Sequence, residues 1–236
     1  MHPVNNSIQY DRLDTIYLGS DYAAQFHDQH SFREPRRGKG AFGDGENQVD
    51  YGFVFGGDRQ KILLIKAGQG GSIYGYRNKY LKLACEIREL CGFSVVCAST
   101  PSSDISQMAQ FAEVVKLEFE IGGHTQIYFM GMSMGASIGC IGRSLFPEIS
   151  RFLLVNPPLM INTTRICRSA KAFDGDMMTF VFGSLDPSAH LAGLLKLHER
   201  ENMHVVVVPG QDHHFSRNEF RLIELMKLLN SEDKLK

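Results

Sequence analysis

The sequence lacks an excess of either charge, a long apolar run and a pattern of paired cysteines. Its 236 residues include 25 Lys or Arg and 26 Asp or Glu, a formal charge of −1. This balance argues against a protein that binds nucleic acid or an anionic membrane by general attraction. No stretch approaches the roughly 18 apolar residues that span a bilayer, and the acidic first thirty residues contain no apolar signal-peptide core. We therefore expect a cytoplasmic protein with a small-molecule substrate and no nucleic-acid or membrane partner.

Cysteine is scarce and its five residues form no CxxC pair, which argues against a disulfide framework, a zinc site and a dithiol redox centre. We expect buried free thiols in a reducing compartment. No two of the nine histidines form a convincing metal site with a nearby carboxylate, so we expect no metal and no cofactor. The cysteines are Cys85, Cys91, Cys97, Cys140 and Cys167.

The chain is expected to form one α/β domain over residues 1–236, since domains average about 150 residues and no linker is visible. Residues 1–48 form an N-terminal segment with strand-like pieces at 8–10 and 15–18 and a Gly-rich loop at its end. Residues 49–230 alternate short apolar runs with amphipathic stretches, as in a parallel sheet covered by helices. The predicted strands are 51–55, 62–65, 94–98, 127–130, 152–155, 179–182 and 205–208. The predicted helices are 78–90, 106–120, 136–145, 189–199 and 218–229.

A GxSxG motif at residues 131–135 lies between a predicted strand and a predicted helix. A nucleophile elbow requires this context, because the two glycines leave room for a sharp turn that exposes the serine hydroxyl at the edge of the sheet. Ser133 is therefore the candidate nucleophile. The alternative is an ordinary glycine loop in which Ser133 caps the following helix.

A serine nucleophile needs an imidazole as base and a carboxylate that orients the imidazole. Asp186 follows one predicted strand, and His213 and His214 follow the next, so all three project from the edge that carries Ser133. The GxxHxF pattern at residues 210–215 favours His213 as the base, with His214 as the alternative. Asp186 precedes a proline and could instead be a turn or cap residue.

The predicted strand at 62–65 runs into a Gly-rich turn at 68–71. Such a turn lets backbone amides converge on a developing negative charge, so we expect an oxyanion hole built from the amides of Gln69 and Met134. A phosphate-binding loop is the alternative, but the turn lacks the Lys-Ser/Thr ending of that motif.

These motifs resemble those of the α/β-hydrolase superfamily over residues 62–215. The turn at 68–71 stands where that family has its HGxG-like turn, 131–135 where it has the elbow, 184–186 where it has the acid loop and 210–215 where it has the histidine loop. The resemblance implies a three-layer α/β-hydrolase fold, an eight-stranded and mostly parallel sheet between helices, with a triad of Ser133, Asp186 and His213. Ala67 replaces the family's usual histidine, which bears on the shape of the turn more than on its backbone donors. Only about twenty residues between Asn156 and Asp176 are available for a lid.

We therefore expect a serine hydrolase of the carboxylesterase type, which cleaves a carboxylic ester or related acyl compound through an acyl-enzyme on Ser133. A thioesterase, a peptidase or an acyltransferase could use the same triad. A protein of this fold could also bind a small molecule without turnover. The identity of the substrate and the oligomeric state stay open at this point.

Overall fold

The computed structural model describes residues 8–17, 48–217 and 220–229, and eight strands in these ranges form a single sheet. The strand order is β1-β2-β4-β3-β5-β6-β7-β8. β2 pairs antiparallel with both β1 and β4, and the pairings from β4 to β8 are parallel. All seven predicted strands are present. The strands are β1 (Arg12–Tyr17), β2 (Gln48–Val54), β3 (Asp58–Lys66), β4 (Phe93–Ala98), β5 (Gln126–Met132), β6 (Ile149–Val155), β7 (Met177–Gly183) and β8 (Met203–Val208).

Six α-helices lie in the described ranges, and five of them fall within or next to the predicted ones. The last two are shorter than predicted, because short 3-10 turns take up part of each range. The fourth, between β6 and β7, was not predicted. The helices are α1 (Lys79–Cys91), α2 (Gln107–Glu118), α3 (Met134–Ile141), α4 (Leu159–Lys171), α5 (Ala192–Lys196) and α6 (Ile223–Met226).

The central strands are buried on both faces, as their continuous apolar runs predicted. In β3, Ile62 and Leu64 pack in one apolar cluster while Leu63 and Ile65 pack in the other, and all four are 0% exposed. Successive side chains of a strand point to opposite faces, so two separate cores result. Helices α2 to α5 cover one face and α1 and α6 cover the other, which gives three layers.

Helix α4 escaped prediction because its sequence is polar and interrupted. It follows Pro158, and Asn162 within it has a non-helical φ of −131°. Only Leu159, Ile166 and Ala170 are buried, a sparse stripe that packs towards α3. The segment in which only a small lid was expected is therefore helix α4, which packs against α3, the helix that follows Ser133.

The cysteines only partly match the expected buried free thiols. All five are free, but Cys91 is exposed, because it ends α1 at the surface, and Cys167 is half-buried. No group of three metal-ligating side chains occurs in the described part of the chain. No helix there is long and apolar enough to cross a membrane.

Candidate active site

Ser133 occupies a strained turn between β5 and α3. Its backbone has φ 52° and ψ −119°, a conformation that costs energy in an L-residue and persists only when the surroundings enforce it. A Cβ on Gly131 would lie 2.6 Å from the Ala136 backbone, and one on Gly135 would lie 2.3 Å from the Ala67 carbonyl oxygen. Both motif positions therefore require glycine, as a nucleophile elbow does.

The Ser133 side chain meets one of the two candidate histidines. Its Oγ lies 2.9 Å from Nε2 of His213, whose Nδ1 is hydrogen-bonded to Oδ2 of Asp186. The carboxylate is 1% exposed and the imidazole 36% exposed. A proton held on Nδ1 by the carboxylate leaves Nε2 as the acceptor for the serine hydroxyl, the arrangement of a nucleophile, a general base and an orienting acid.

His214 makes different contacts. Its side chain is exposed and its ring stands edge-on to that of His213, with the two centroids 5.3 Å apart. Its backbone amide donates to Oδ1 of Asp212, and its carbonyl accepts from Lys79. Asp212 also accepts from the amide and hydroxyl of Ser216, so that this carboxylate shapes the histidine loop and does not orient the base.

Asp186 combines the two roles that the sequence left as alternatives. Oδ2 bonds His213, while Oδ1 accepts from the Ser188 amide at 2.6 Å and so caps the turn that follows. The Asp186 amide in turn donates to the Gly183 carbonyl at 2.9 Å. The capping bond fixes the carboxylate in the orientation that the imidazole needs.

Sequence reasoning missed Asn156, which lies at the end of β6 and joins the acid and histidine loops. It is 0% exposed and has a positive φ of 46°. Its Nδ2 donates to the carbonyls of Asp212 and His213, at 3.1 and 3.0 Å, and its Oδ1 accepts from the Gly183 amide at 2.9 Å. The available signal was a polar residue directly after a buried apolar strand.

The predicted oxyanion turn is held by residues that follow β4. Gly70, at φ +67°, has a conformation that suits glycine, and the Gly71 amide donates to the Gly68 carbonyl at 2.8 Å, which closes a β-turn. Thr100, fully buried, accepts from the Gly70 amide and donates from its hydroxyl to the Ala67 carbonyl, both at 2.7 Å. The turn at Ala67 is thus supported by a threonine that follows the neighbouring strand β4.

The amides of Gln69 and Met134 are left open by this arrangement. Neither amide donates to an acceptor within the ranges that the structure describes. Met134 is the first residue of α3, where backbone amides have no acceptor within the helix and carry the positive end of its dipole. Gly68, next to Gln69, approaches Ser133 so closely that a Cβ there would lie 3.2 Å from the serine Cβ. Both amides are therefore available beside the nucleophile.

Lys66 is a buried cation directly before the turn. It is 0% exposed, and its Nζ donates to the Ser99 carbonyl and, at 2.7 Å, to Oε1 of Gln107. Burial lowers the pKa of Lys66 to about 7. Gln107 in turn donates to the carbonyls of Ser102 and Asp104, at 2.9 and 3.0 Å. This network fixes the loop between β4 and α2.

A cavity of about 240 Å³ lies between α3 and α4, next to Met134 and Gln69. Both candidate oxyanion residues line it, together with the loop after β4. Its walls mix apolar and polar side chains. The lining residues are Gln69, Ser103, Ile105, Met134, Ser137, Ile138, Ile141, Ile161, Asn162 and Arg165.

Solved structures share this architecture, although no protein-family model and no curated protein matches the sequence. The esterase domain of a Rhodothermus marinus protein aligns with a TM-score of 0.63 at 10% identity, over 93% of this chain and 97% of that one. Est1E from Butyrivibrio proteoclasticus aligns with a TM-score of 0.62 at 12% identity, over 78% and 93% of the two chains. An esterase from Pyrococcus furiosus aligns with a TM-score of 0.59 at 14% identity, over 78% and 87%. The chain has the α/β-hydrolase fold.

Proposed function

We propose that this chain is a serine hydrolase that cleaves a carboxylic ester or a related acyl compound. The observation that carries the proposal is the 2.9 Å contact of Ser133 Oγ with Nε2 of His213, whose other ring nitrogen bonds Asp186. The α/β-hydrolase fold supports the proposal, because fold neighbours include proteins named as esterases.

In the proposed reaction, Ser133 Oγ attacks the acyl carbon while His213 Nε2 takes the hydroxyl proton. The carbon–oxygen bond to the alcohol then breaks, and the alcohol leaves with that proton. Water attacks the acyl-enzyme, again giving a proton to His213, and the acid departs as Ser133 regains its hydrogen. Asp186 stabilises the transient imidazolium.

The amides of Gln69 and Met134 stabilise the negative charge that develops on the acyl oxygen. Each amide is free to donate, and a donor already fixed in position costs no reorganisation when the charge appears. Since the donors are backbone groups, substituting the Gln69 side chain leaves the donor itself in place.

The proposal is tested by covalent labelling with a fluorophosphonate and by hydrolysis of p-nitrophenyl butyrate. Ser133→Ala should abolish labelling and lower kcat by about 10⁴-fold or more. His213→Ala should also abolish labelling, because the hydroxyl then has no base.

The matched control is His214→Ala, which removes the adjacent imidazole and should leave labelling rapid. Labelling that survives in Ser133→Ala, or a wild type that neither labels nor turns over the ester, would overturn the proposal. In the second case the chain would be a binding protein with a hydrolase fold.

A further inference from the structure

The cavity between α3 and α4 lies next to the candidate oxyanion residues Gln69 and Met134. Residues of α3 at helical spacing, from Met134 to Ile141, form one wall, and Gln69 closes the cavity at the oxyanion turn. Neither Ser133 nor His213 is among the lining residues. The cavity therefore borders the residues of the candidate oxyanion amides and not the base.

The position of the cavity indicates which part of an ester it holds, the alcohol or the acyl chain. The leaving alcohol takes its proton from His213 and must lie on that side of the carbonyl carbon. The acyl chain, attached to the same carbon, then extends away from His213 and past the amides of Gln69 and Met134. The cavity is where the acyl chain fits.

One cation faces this cavity without an acidic partner. Arg165, exposed on α4, forms no ion pair with a carboxylate in the described ranges, and no Asp or Glu lines the cavity. Asn162 lies one turn earlier on the same helix and adds an amide group to the same wall. An arginine with free donors binds a carboxylate through two parallel hydrogen bonds.

A buried hydroxyl in the cavity wall also lacks a partner. Ser137 is 1% exposed, and no described residue hydrogen-bonds its Oγ. A buried polar group without a partner costs free energy that a ligand can recover by bonding it. Arg165 and Ser137 come from different helices, so they are independent indications of a polar ligand group.

The remaining walls suit an apolar stem, and the cavity volume of about 240 Å³ accommodates a short acyl chain. Four isoleucines supply the apolar part of the wall. They are Ile105, Ile138, Ile141 and Ile161.

Resting on the proposed hydrolase function, we propose that the preferred substrate is a half-ester of a short dicarboxylic acid. Its apolar stem packs on the isoleucines, and its free carboxylate, the polar group of the ligand, binds Arg165 and can accept from the Ser137 hydroxyl. The arginine contact is remote from the reacting carbon and is the same in the ground state and the transition state, so it lowers KM rather than raising kcat.

The test compares two p-nitrophenyl esters of matched length, mono-p-nitrophenyl glutarate and p-nitrophenyl valerate. The wild type should prefer the glutarate. Arg165→Gln should lower the ratio of the two kcat/KM values about tenfold, through KM of the glutarate. The matched control Arg168→Gln removes an exposed arginine of the same helix that does not line the cavity, and should leave the ratio unchanged.

A second readout does not depend on turnover. Monomethyl glutarate should bind Ser133→Ala in titration calorimetry, more weakly as salt rises, and about tenfold more weakly when Arg165→Gln is added. Hydrolysis of the valerate with no preference for the glutarate would overturn this inference and leave the hydrolase proposal standing. Binding of monomethyl glutarate by a wild type that does not turn over would overturn the hydrolase proposal instead. Binding or preference that Arg165→Gln does not change overturns the role of the arginine.

Discussion

Polar groups around Ser133 fall into two sets that differ in how the chain satisfies them. On the triad side, Asp186 is hydrogen-bonded to His213. Asn156 donates to the His213 carbonyl and accepts from the Gly183 amide. On the cavity side, the amides of Gln69 and Met134 and the Ser137 hydroxyl have no acceptor or donor in the described ranges. On the proposed function, this difference means that the attacking group is positioned before a substrate binds, whereas the groups on the cavity side gain their partners only from the substrate.

The largest effect is expected from substituting Asp186, the acid on the triad side. Asp186→Asn would direct an amide N–H at Nδ1 of His213 and place the ring proton on Nε2, where it cannot accept from Ser133. On the proposed mechanism kcat for p-nitrophenyl butyrate should fall by about 10⁴-fold.

The same variant should leave the cavity side intact. Binding of monomethyl glutarate, measured by calorimetry, should stay within about twofold of that of Ser133→Ala, which likewise does not turn the ester over, because the acid lies outside the cavity. A kcat within tenfold of the wild type would show that Asp186 serves only as the cap for Ser188.

An intermediate effect is expected at Asn156, the positioning residue that joins the two loops. Asn156→Gly removes its three hydrogen bonds, while glycine accepts the positive φ without strain. The histidine loop is then held less firmly, and kcat should fall by about 10²-fold with KM little changed.

Thermal unfolding of the same variant separates positioning from folding. If kcat stays at the wild-type value while the midpoint falls, Asn156 supports the fold alone. If KM rises instead of kcat falling, the loops that Asn156 joins belong to substrate binding.

The smallest effect concerns Lys66, which belongs to neither set, because it is buried before the oxyanion turn and already bonded to Ser99 and Gln107. Its pKa is lowered to about 7 in the folded state by burial, so above pH 7 unfolding takes up a proton. Stability from this group therefore rises with pH, by about 2 kcal/mol between pH 7 and 9. Lys66→Met should lack that rise, as urea unfolding at several pH values would measure.

The matched control for this variant is Lys61→Met, on the same strand with a side chain that is 40% exposed. Its stability should change with pH in parallel with the wild type. Parallel curves for Lys66→Met as well would mean that the buried amine stays protonated in the folded state at every pH tested, as it is in the unfolded chain. A constant loss of stability would then reflect only the unpaired Ser99 and Gln107 oxygens.

Much of the fold could be predicted because its signals are local. Runs such as 62–65 and 127–130 are apolar without alternation, and a strand buried on both faces gives that pattern. Helix α4 gave no such signal, since its polar surface faces solvent and the cavity and its buried stripe is sparse. The proposed role of Arg165 could not be predicted from the sequence either, because it depends on the packing of α4 against α3.

The candidate site divides in the same way. The elbow glycines were readable because a short motif creates their steric demand, and Gly131 and Gly135 meet backbone atoms that lie close by in the fold. Asn156 could not be assigned, because its three bonds join β6 to loops that follow β7 and β8. The support that Thr100 gives to the turn at Ala67 could not be predicted either, because Thr100 follows β4 and is distant from that turn in the sequence.

The sequence by itself determined the strands and the GxSxG motif, since each depends on residues close together in the chain. It also determined the order of Ser133, Asp186 and the histidine pair, because each of these residues follows a readable strand. Only the tertiary structure decided that His213 rather than His214 reaches Ser133, because adjacent residues share a loop and differ only in direction. It also decided that Arg165 and Ser137 share one cavity. Packing sets such distances between separate segments, and position along the chain does not encode them directly.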